Sequence, residues 1–196
     1  MSVGVRLDEK SSAACAVLSW RDQLYVAWTG TDMYLNLASS ADGRALLAKQ
    51  RLAQRSYKQV TTASSGQNQA PTTTTVALPP SLAGSAEQLY LAWTGSNRAL
   101  NVLAADPQSP AGPVILKERS TESPSVTISE HGRPVLAWTG TDRHINLLTA
   151  DGGWSAAPVR LEGARSNHAP AICSHHGQLI LAWAGTDRRL NIAQPQ

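Results

Sequence analysis

Four copies of one short pattern recur in this chain, and they constrain its fold more than any other feature. They read QLYVAWTGTDMYLNLA (23–38), QLYLAWTGSNRALNVLA (88–104), RPVLAWTGTDRHINLLT (133–149) and QLILAWAGTDRRLNIA (178–193). Self-similarity at a fixed pitch marks an architecture assembled from equivalent units. The tryptophans Trp28, Trp93, Trp138 and Trp183 are spaced 65, 45 and 45 residues apart. A second pattern flanks the first: RLDEKSSAAC (6–15), RLAQRSY (51–57), ILKERSTESP (115–124) and RLEGARSNHAP (160–170). Its leucines, Leu7, Leu52, Leu116 and Leu161, are spaced 45, 64 and 45. The long interval is shared by both series, so the second unit carries about 20 extra residues, a polar and Pro-rich stretch read as loop.

Each unit holds four strand-like pieces separated by turn residues. The second piece, for example Leu24 to Trp28, is apolar at successive positions, as expected when both faces of a strand are covered. A pitch near 45 with four strands per unit predicts an all-β, four-bladed β-propeller. The blades span approximately 10–55, 56–119, 120–165 and 166–196 plus 1–9 of a single domain, residues 1–196. The last unit ends after its third strand, and Val3–Glu9 carries the outer-strand pattern at the other end. The N-terminal strand is therefore expected to complete the last blade and close the ring, leaving no open edge. A monomer closed in this way is one arrangement; two chains exchanging that strand in an eight-bladed ring is the other.

Composition narrows the function. Seventeen Lys and Arg against 14 Asp and Glu give a net charge of +3, with no basic run of the kind that binds nucleic acid. Apolar runs fall far short of the roughly 18 residues of a membrane span. No secretory leader pattern opens the chain, so a cytoplasmic location is the default expectation, with non-classical export the other route. Cys15 and Cys173 lack CxxC spacing and are expected as two buried thiols, with one bridge as the alternative. No cofactor is expected, although polar first strands (Thr72–Thr75, Ser125, Thr127, Ser129) would allow an ion in a central channel.

The blade pattern, L-x-E-x-S-x-x-x-P followed by L-x-L-A-W-T-G-T-D-x-x-L-N-V, resembles bacterial propeller repeats related to the sialidase (Asp-box) superfamily. It also resembles bacterial propeller lectins. The resemblance covers nearly the whole chain and implies a propeller fold. An Asp-box needs Ser-x-Asp-x-Gly-x-x-Trp; TADGGW (149–154) and SADGRA (39–44) each lack one residue between Asp and Gly. The arginine triad and the Tyr–Glu pair of a sialidase have no counterpart here, so no catalytic residue is carried over and the chain leans away from being an enzyme.

Alternating strand direction brings the four TGTD-type turns, the crossovers between units and the 57–70 insertion to one face. Loops on a rigid scaffold are where binding is usually placed. The candidate ligand-binding residues are Trp28, Asp32 and Tyr34; Trp93, Asn97 and Arg98; Trp138, Asp142, Arg143 and His144; and Trp183, Asp187 and Arg188. Aromatic faces, carboxylates and guanidinium groups are the chemistry that holds sugar hydroxyls and C–H patches, and repetition would add avidity. The same Asp and Asn residues equally suit a structural role, capping turns through Asx bonds, with the tryptophans as inter-blade core. Three readings follow: a lectin-like carbohydrate-binding module, a protein-interaction scaffold docking through the 57–70 loop, or an enzyme with one asymmetric pocket at the channel mouth. The corresponding partners are a glycan or small molecule, or a protein.

Overall fold

A computed structural model describes residues 6–62, 70–105 and 112–195. The repeats fold into four successive antiparallel sheets. In the first, β1 (Ala16–Trp20), β2 (Gln23–Thr29), β3 (Tyr34–Ser40) and β4 (Leu47–Arg55) lie side by side in chain order. A separate hairpin, β5 (Tyr57–Thr62) with β6 (Thr72–Ala77), leads to the second sheet of β7 (Ser81–Gly84), β8 (Leu89–Thr94), β9 (Ala99–Ala105) and β10 (Val114–Arg119). The third sheet holds β11 (Ser125–Ile128), β12 (Pro134–Thr139), β13 (His144–Thr149) and β14 (Val159–Arg165). The fourth has three strands: β15 (Ala171–His175), β16 (Gln178–Ala184) and β17 (Leu190–Ala193).

Turn chemistry explains the hairpins. Arg21 and Asp22 both take positive φ (50° and 58°), the two-residue turn whose twist matches that of the flanking strands. At the TGTD turns Gly30 NH donates to Tyr34 O at 2.8 Å and Met33 NH to Gly30 O at 2.9 Å. The same pair of bonds recurs from Gly95, Gly140 and Gly185.

The sheets stack face to face, and the boundaries between them are the core. Trp93, Leu35, Leu89 and Leu91 pack between the first and second sheets. Trp138, Leu100, Val126 and Leu148 pack between the second and third; Ile145, Leu181 and Ile172 between the third and fourth. Each fully buried tryptophan removes roughly 150–250 Å² from water, on the order of 4–6 kcal/mol before entropy is counted. Hydroxyls tie the sheets together. Thr29 Oγ1 donates to Leu78 O (2.7 Å), Thr94 Oγ1 to Glu122 O (2.6 Å) and Thr139 Oγ1 to His168 O (2.6 Å), in each case from one sheet to the crossover entering the next.

Several expectations are corrected. The insertion is not plain loop: its described ends form the β5–β6 hairpin, and residues 63–69 lie outside the described residues. Thr72–Thr75 consequently sit in that hairpin rather than lining a channel, because the innermost strand of the second sheet begins only at Ser81. Ser125 Oγ instead accepts Ile172 NH of the next sheet at 3.2 Å. Both cysteines are free and exposed, not buried. Of the strand expected at Val3–Glu9, residues 3–5 lie outside the described residues, and Arg6–Glu9 are not strand. Glu9 instead pairs with Lys49 of β4, and the fourth sheet remains three-stranded. The innermost strands touch in the order β1–β7–β11–β15, and among the described residues β15 and β1 make no comparable contact.

Candidate functional site

Each TGTD-type turn presents the same small scaffold. The turn Asx accepts, through Oδ1, the NH two residues on: Asp32 from Tyr34 (3.1 Å), Asn97 from Ala99 (3.0 Å), Asp142 from His144 (3.2 Å) and Asp187 from Arg189 (3.1 Å). The third-strand Asn returns a bond to that residue's carbonyl, from Asn36, Asn101, Asn146 and Asn191 at 2.8–3.1 Å. A Cβ on Gly140 would lie 2.6 Å from Asp142 Oδ1, so the side chain's place in the turn depends on glycine there. The structural role foreseen for these Asp and Asn side chains is thus observed, and it uses one carboxylate oxygen. The other, Oδ2, projects outward.

That second oxygen meets arginines of the outer strand that the motif did not point to. Arg51 on β4 contacts Asp32 Oδ2 through both Nε and NH2 at 3.0 Å. Its equivalent on β14, Arg160, bonds Asp142 Oδ2. Arg51 also stacks on the Tyr34 ring at 3.7 Å, and Arg55 lies over the same ring at 4.4 Å while donating to Tyr34 Oη at 3.0 Å. In the third sheet His144 Nδ1 stands 3.2 Å from Asp142 Oδ2, and Arg165 donates to Asp142 O at 3.3 Å. The second sheet breaks the pattern. It has Asn97 where the others have Asp, and Ile115 stands opposite Asn101 where Arg51 and Arg160 stand opposite Asn36 and Asn146. In the first and third sheets the turn carboxylate and the outer-strand guanidinium occur together, in the second neither is present, and in the fourth Asp187 stands beside no outer strand among the described residues. The initial Arg of the RL pattern was the signal for this pairing.

Electrostatics follow from these contacts. The Tyr34 NH, with Arg51 adding to it against some desolvation, holds the Asp32 carboxyl below its ordinary value of 3.8. Burial pushes Asp142 upward, but the His144 NH and the Arg160 charge outweigh it and leave the carboxyl depressed. Both turns therefore display ionised carboxylates braced by guanidinium groups.

The tryptophans lie apart from this chemistry. Trp28, Trp93 and Trp138 are 3%, 1% and 2% exposed, so their faces belong to the core, and Trp183 alone is half-buried. Arg98, Arg143 and Arg188, with Met33, occupy the positive-φ position of each turn (67–70°) and project to solvent, except that Met33 is half-buried. His168 lies in the crossover and contributes its carbonyl to Thr139. Two cavities open elsewhere between sheets. One of about 380 Å³, lined by Tyr25, Leu37, Gln50, Leu52, Leu89 and Leu103, is mostly apolar and separates the first and second sheets. The other, about 610 Å³, lies at the HG-turn end between the third and fourth sheets beside Glu130, His131 and Arg133. Neither is lined by any of the candidate ligand-binding residues. Among the described residues no group of three or more His, Cys, Asp or Glu is placed to hold a metal ion.

No family model matches the chain, and no curated protein sequence does. Solved structures do. A fucose-specific lectin from Aleuria aurantia superposes with a TM-score of 0.64 at 8% identity, covering 96% of this chain and 59% of the lectin. The GH43B protein of a Bacteroides ovatus xyloglucan locus gives 0.60 at 15% identity, over 95% of this chain and 39% of that one. A GH43 endo-arabinanase from Bacillus licheniformis gives 0.56 at 16% identity, over 97% and 73%. The chain therefore spans well under two thirds of the first two. These are β-propeller proteins, and the chain is a propeller-type repeat protein with an all-β fold.

Proposed function

We propose that the chain is a carbohydrate-binding propeller module of four blades, one per repeat, that engages glycans through the face bearing the TGTD-type turns. The observation that carries this reading is the paired display of an ionised carboxylate with a bracing arginine and a ring: Asp32, Arg51 and Tyr34 in one blade, Asp142, Arg160 and His144 in another. Sugar hydroxyls present adjacent donors and acceptors, and a carboxylate beside a guanidinium offers both at matching spacing. The turn residues are fixed by backbone bonds, so little ordering is needed on binding. The fucose-specific lectin among the similar folds supports the same class of ligand. Separate weak sites on one face would combine through avidity on a multivalent glycan.

A second reading, sugar processing, is favoured by the endo-arabinanase among the similar folds and by the 3.2 Å contact of Asp142 with His144, an acid–base pair in kind. One experiment separates the two. The labelled protein is screened on a glycan array with free-sugar competition, and each bound glycan is incubated with the protein and examined for newly released reducing ends. Competed binding without release supports the module, and release that disappears in Asp142→Ala supports the enzyme. Under the binding reading, Asp142→Ala lowers avidity about three- to tenfold and leaves residual binding through the Asp32 site. Complete loss from that one change refutes a multivalent module.

A further inference from the structure

Every buried boundary between sheets is made from the same two kinds of face. The face turned to the following sheet is built from Leu35, Leu37 and Leu52 in the first sheet, Leu100, Val102 and Leu116 in the second, and Ile145, Leu147 and Leu161 in the third. Leu35, Leu100 and Ile145 are all 0% exposed. In the fourth sheet the matching positions are Leu190 and Ile192, which are 75% and 67% exposed. The face turned to the preceding sheet uses Leu82, Val126 and Ile172. Its first-sheet counterpart, Val17, is 57% exposed. The two uncovered apolar faces are therefore complementary by construction: three pairs of faces of these same two kinds already pack together inside the chain.

Two further observations point to what covers them. Ser11 is seated on the first sheet as the later crossover serines are seated on theirs. Its Oγ donates to Thr29 O at 3.1 Å, as Ser56 does to Thr94 O (3.2 Å) and Ser120 to Thr139 O (2.7 Å). Residues 6–10 thus approach the first sheet along the path taken by the outer strand of a preceding sheet, with Leu7, the counterpart of Leu52, 41% exposed. Charge agrees. Arg6 occupies the repeat position of Arg51 and Arg160, whose partners are Asp32 and Asp142. The corresponding Asp187 has, among the described residues, only Arg189 at 3.7 Å.

We propose that these faces join two copies of the chain head to tail. The Leu190–Ile192 face of each copy packs on the Val17 face of the other, residues 6–9 of the second copy add beside β17 as its fourth strand, and Arg6 reaches Asp187. The two-fold pair makes this contact twice and closes a ring of eight sheets. The occupant is a second copy rather than the chain's own other end because, among the described residues, β1 and β15 make no contact comparable to those between successive sheets, while Val17, Leu190 and Ile192 stay exposed. A heterologous contact of this kind either closes or propagates, and closure leaves no apolar face uncovered. One element weakens it: the fourth repeat has Ala184 where Thr29, Thr94 and Thr139 latch each sheet to the next crossover. The association is accordingly reversible.

The test is molar mass by light scattering behind size exclusion, over a dilution series of the full chain. The expected result is twice the 20.8 kDa chain mass, falling to one copy on dilution. Ile192→Glu weakens association at least about tenfold, and Asp187→Arg weakens it by a similar factor that Arg6→Asp in the same chain restores. Ala184→Thr supplies the absent latch and tightens association about three- to tenfold. Arg6, Asp187 and Ile192 are exposed in the single chain and Ala184 is half-buried, so far-UV circular dichroism should match the unaltered protein throughout. A single-copy mass at every concentration overturns the proposal, as does a pair indifferent to Ile192→Glu and Asp187→Arg. A single-copy protein destabilised by Asp187→Arg and rescued by Arg6→Asp overturns it in favour of closure within one chain. A mass above two copies overturns it in favour of an open chain of copies.

Discussion

Replacing Thr94 with Val tests the idea that hydroxyl latches hold adjacent sheets. Thr94 is 1% exposed, and its Oγ1 donates at 2.6 Å to the carbonyl of Glu122 in the crossover to the third sheet. Valine keeps the branched shape and removes only the donor. The Glu122 carbonyl also lies 2.8 Å from Ser120 Oγ, which shares its one proton between Glu122 O and Thr139 O (2.7 Å), so the single change leaves it partly paired. The expected cost is that of one net hydrogen bond, about 1 kcal/mol. For a chain of 196 residues this corresponds to a fall of about 2–4 °C in Tm, or a lower urea midpoint at constant slope. Ser120→Ala removes the second donor to the same carbonyl. The double variant then strands a half-buried oxygen, and its loss should exceed the sum of the single losses by about 1 kcal/mol. The assay is urea unfolding followed by tryptophan fluorescence on all four proteins. A Thr94→Val midpoint unchanged to within about 0.3 kcal/mol, or strict additivity in the cycle, would refute the latch.

The remaining expectations concern packing, titration and reactivity. A Cβ on Gly84 would lie 2.4 Å from the Trp20 ring, whose Nε1 donates to Ser85 O, so Gly84→Ala should displace the ring and cost about 1–3 kcal/mol in urea unfolding. An unchanged midpoint would mean that the first and second sheets are not registered through Trp20. The depressed Asp142 carboxyl contributes stability that is present above its ordinary value of 3.8 and is lost as pH falls through its lower folded value. Asp142→Asn should therefore lower stability near neutrality and flatten the acid limb of the stability curve below about pH 4, so that the two proteins converge in acid; coincident acid limbs would discount the Arg160 and His144 contacts. Cys15 and Cys173 are both free and exposed, so two thiols per chain should react with an aromatic disulfide reagent before any denaturant is added. A slow reaction that needs unfolding would place them inside.

Local pattern and the structure agree where short-range chemistry governs. The AWTG run becomes the second strand of every sheet, and in the second and third sheets alternate residues on both of its faces meet another sheet. The Asx residues cap the turns because the backbone at Met33, Arg98, Arg143 and Arg188 is left-handed there and leaves an NH two residues past each Asx to be satisfied. The inserted segment was less legible: a Thr-rich stretch without apolar alternation reads as loop, yet cross-strand pairing from Tyr57–Ala77 to Thr62–Thr72 makes it a hairpin. The bracing arginines escaped the motif because they stand on a different strand, 18 or 19 residues from the carboxylates they meet.

The amino-acid sequence alone determined the four equivalent units, their strands and turns, and which tryptophans face a neighbouring sheet, because these depend on residue type at fixed spacing. Tertiary structure decided what spacing cannot encode. It set the register that carries Arg51 and Arg160 onto Asp32 and Asp142, the exposure of Cys15 and Cys173, and the lack, among the described residues, of a comparable contact between the innermost strands of the first and fourth sheets. The physical reason is that a repeat specifies how each sheet meets the next, whereas ring closure depends on the small rotation between sheets summed over all of them. That sum leaves Leu190, Ile192 and Val17 uncovered in the single chain.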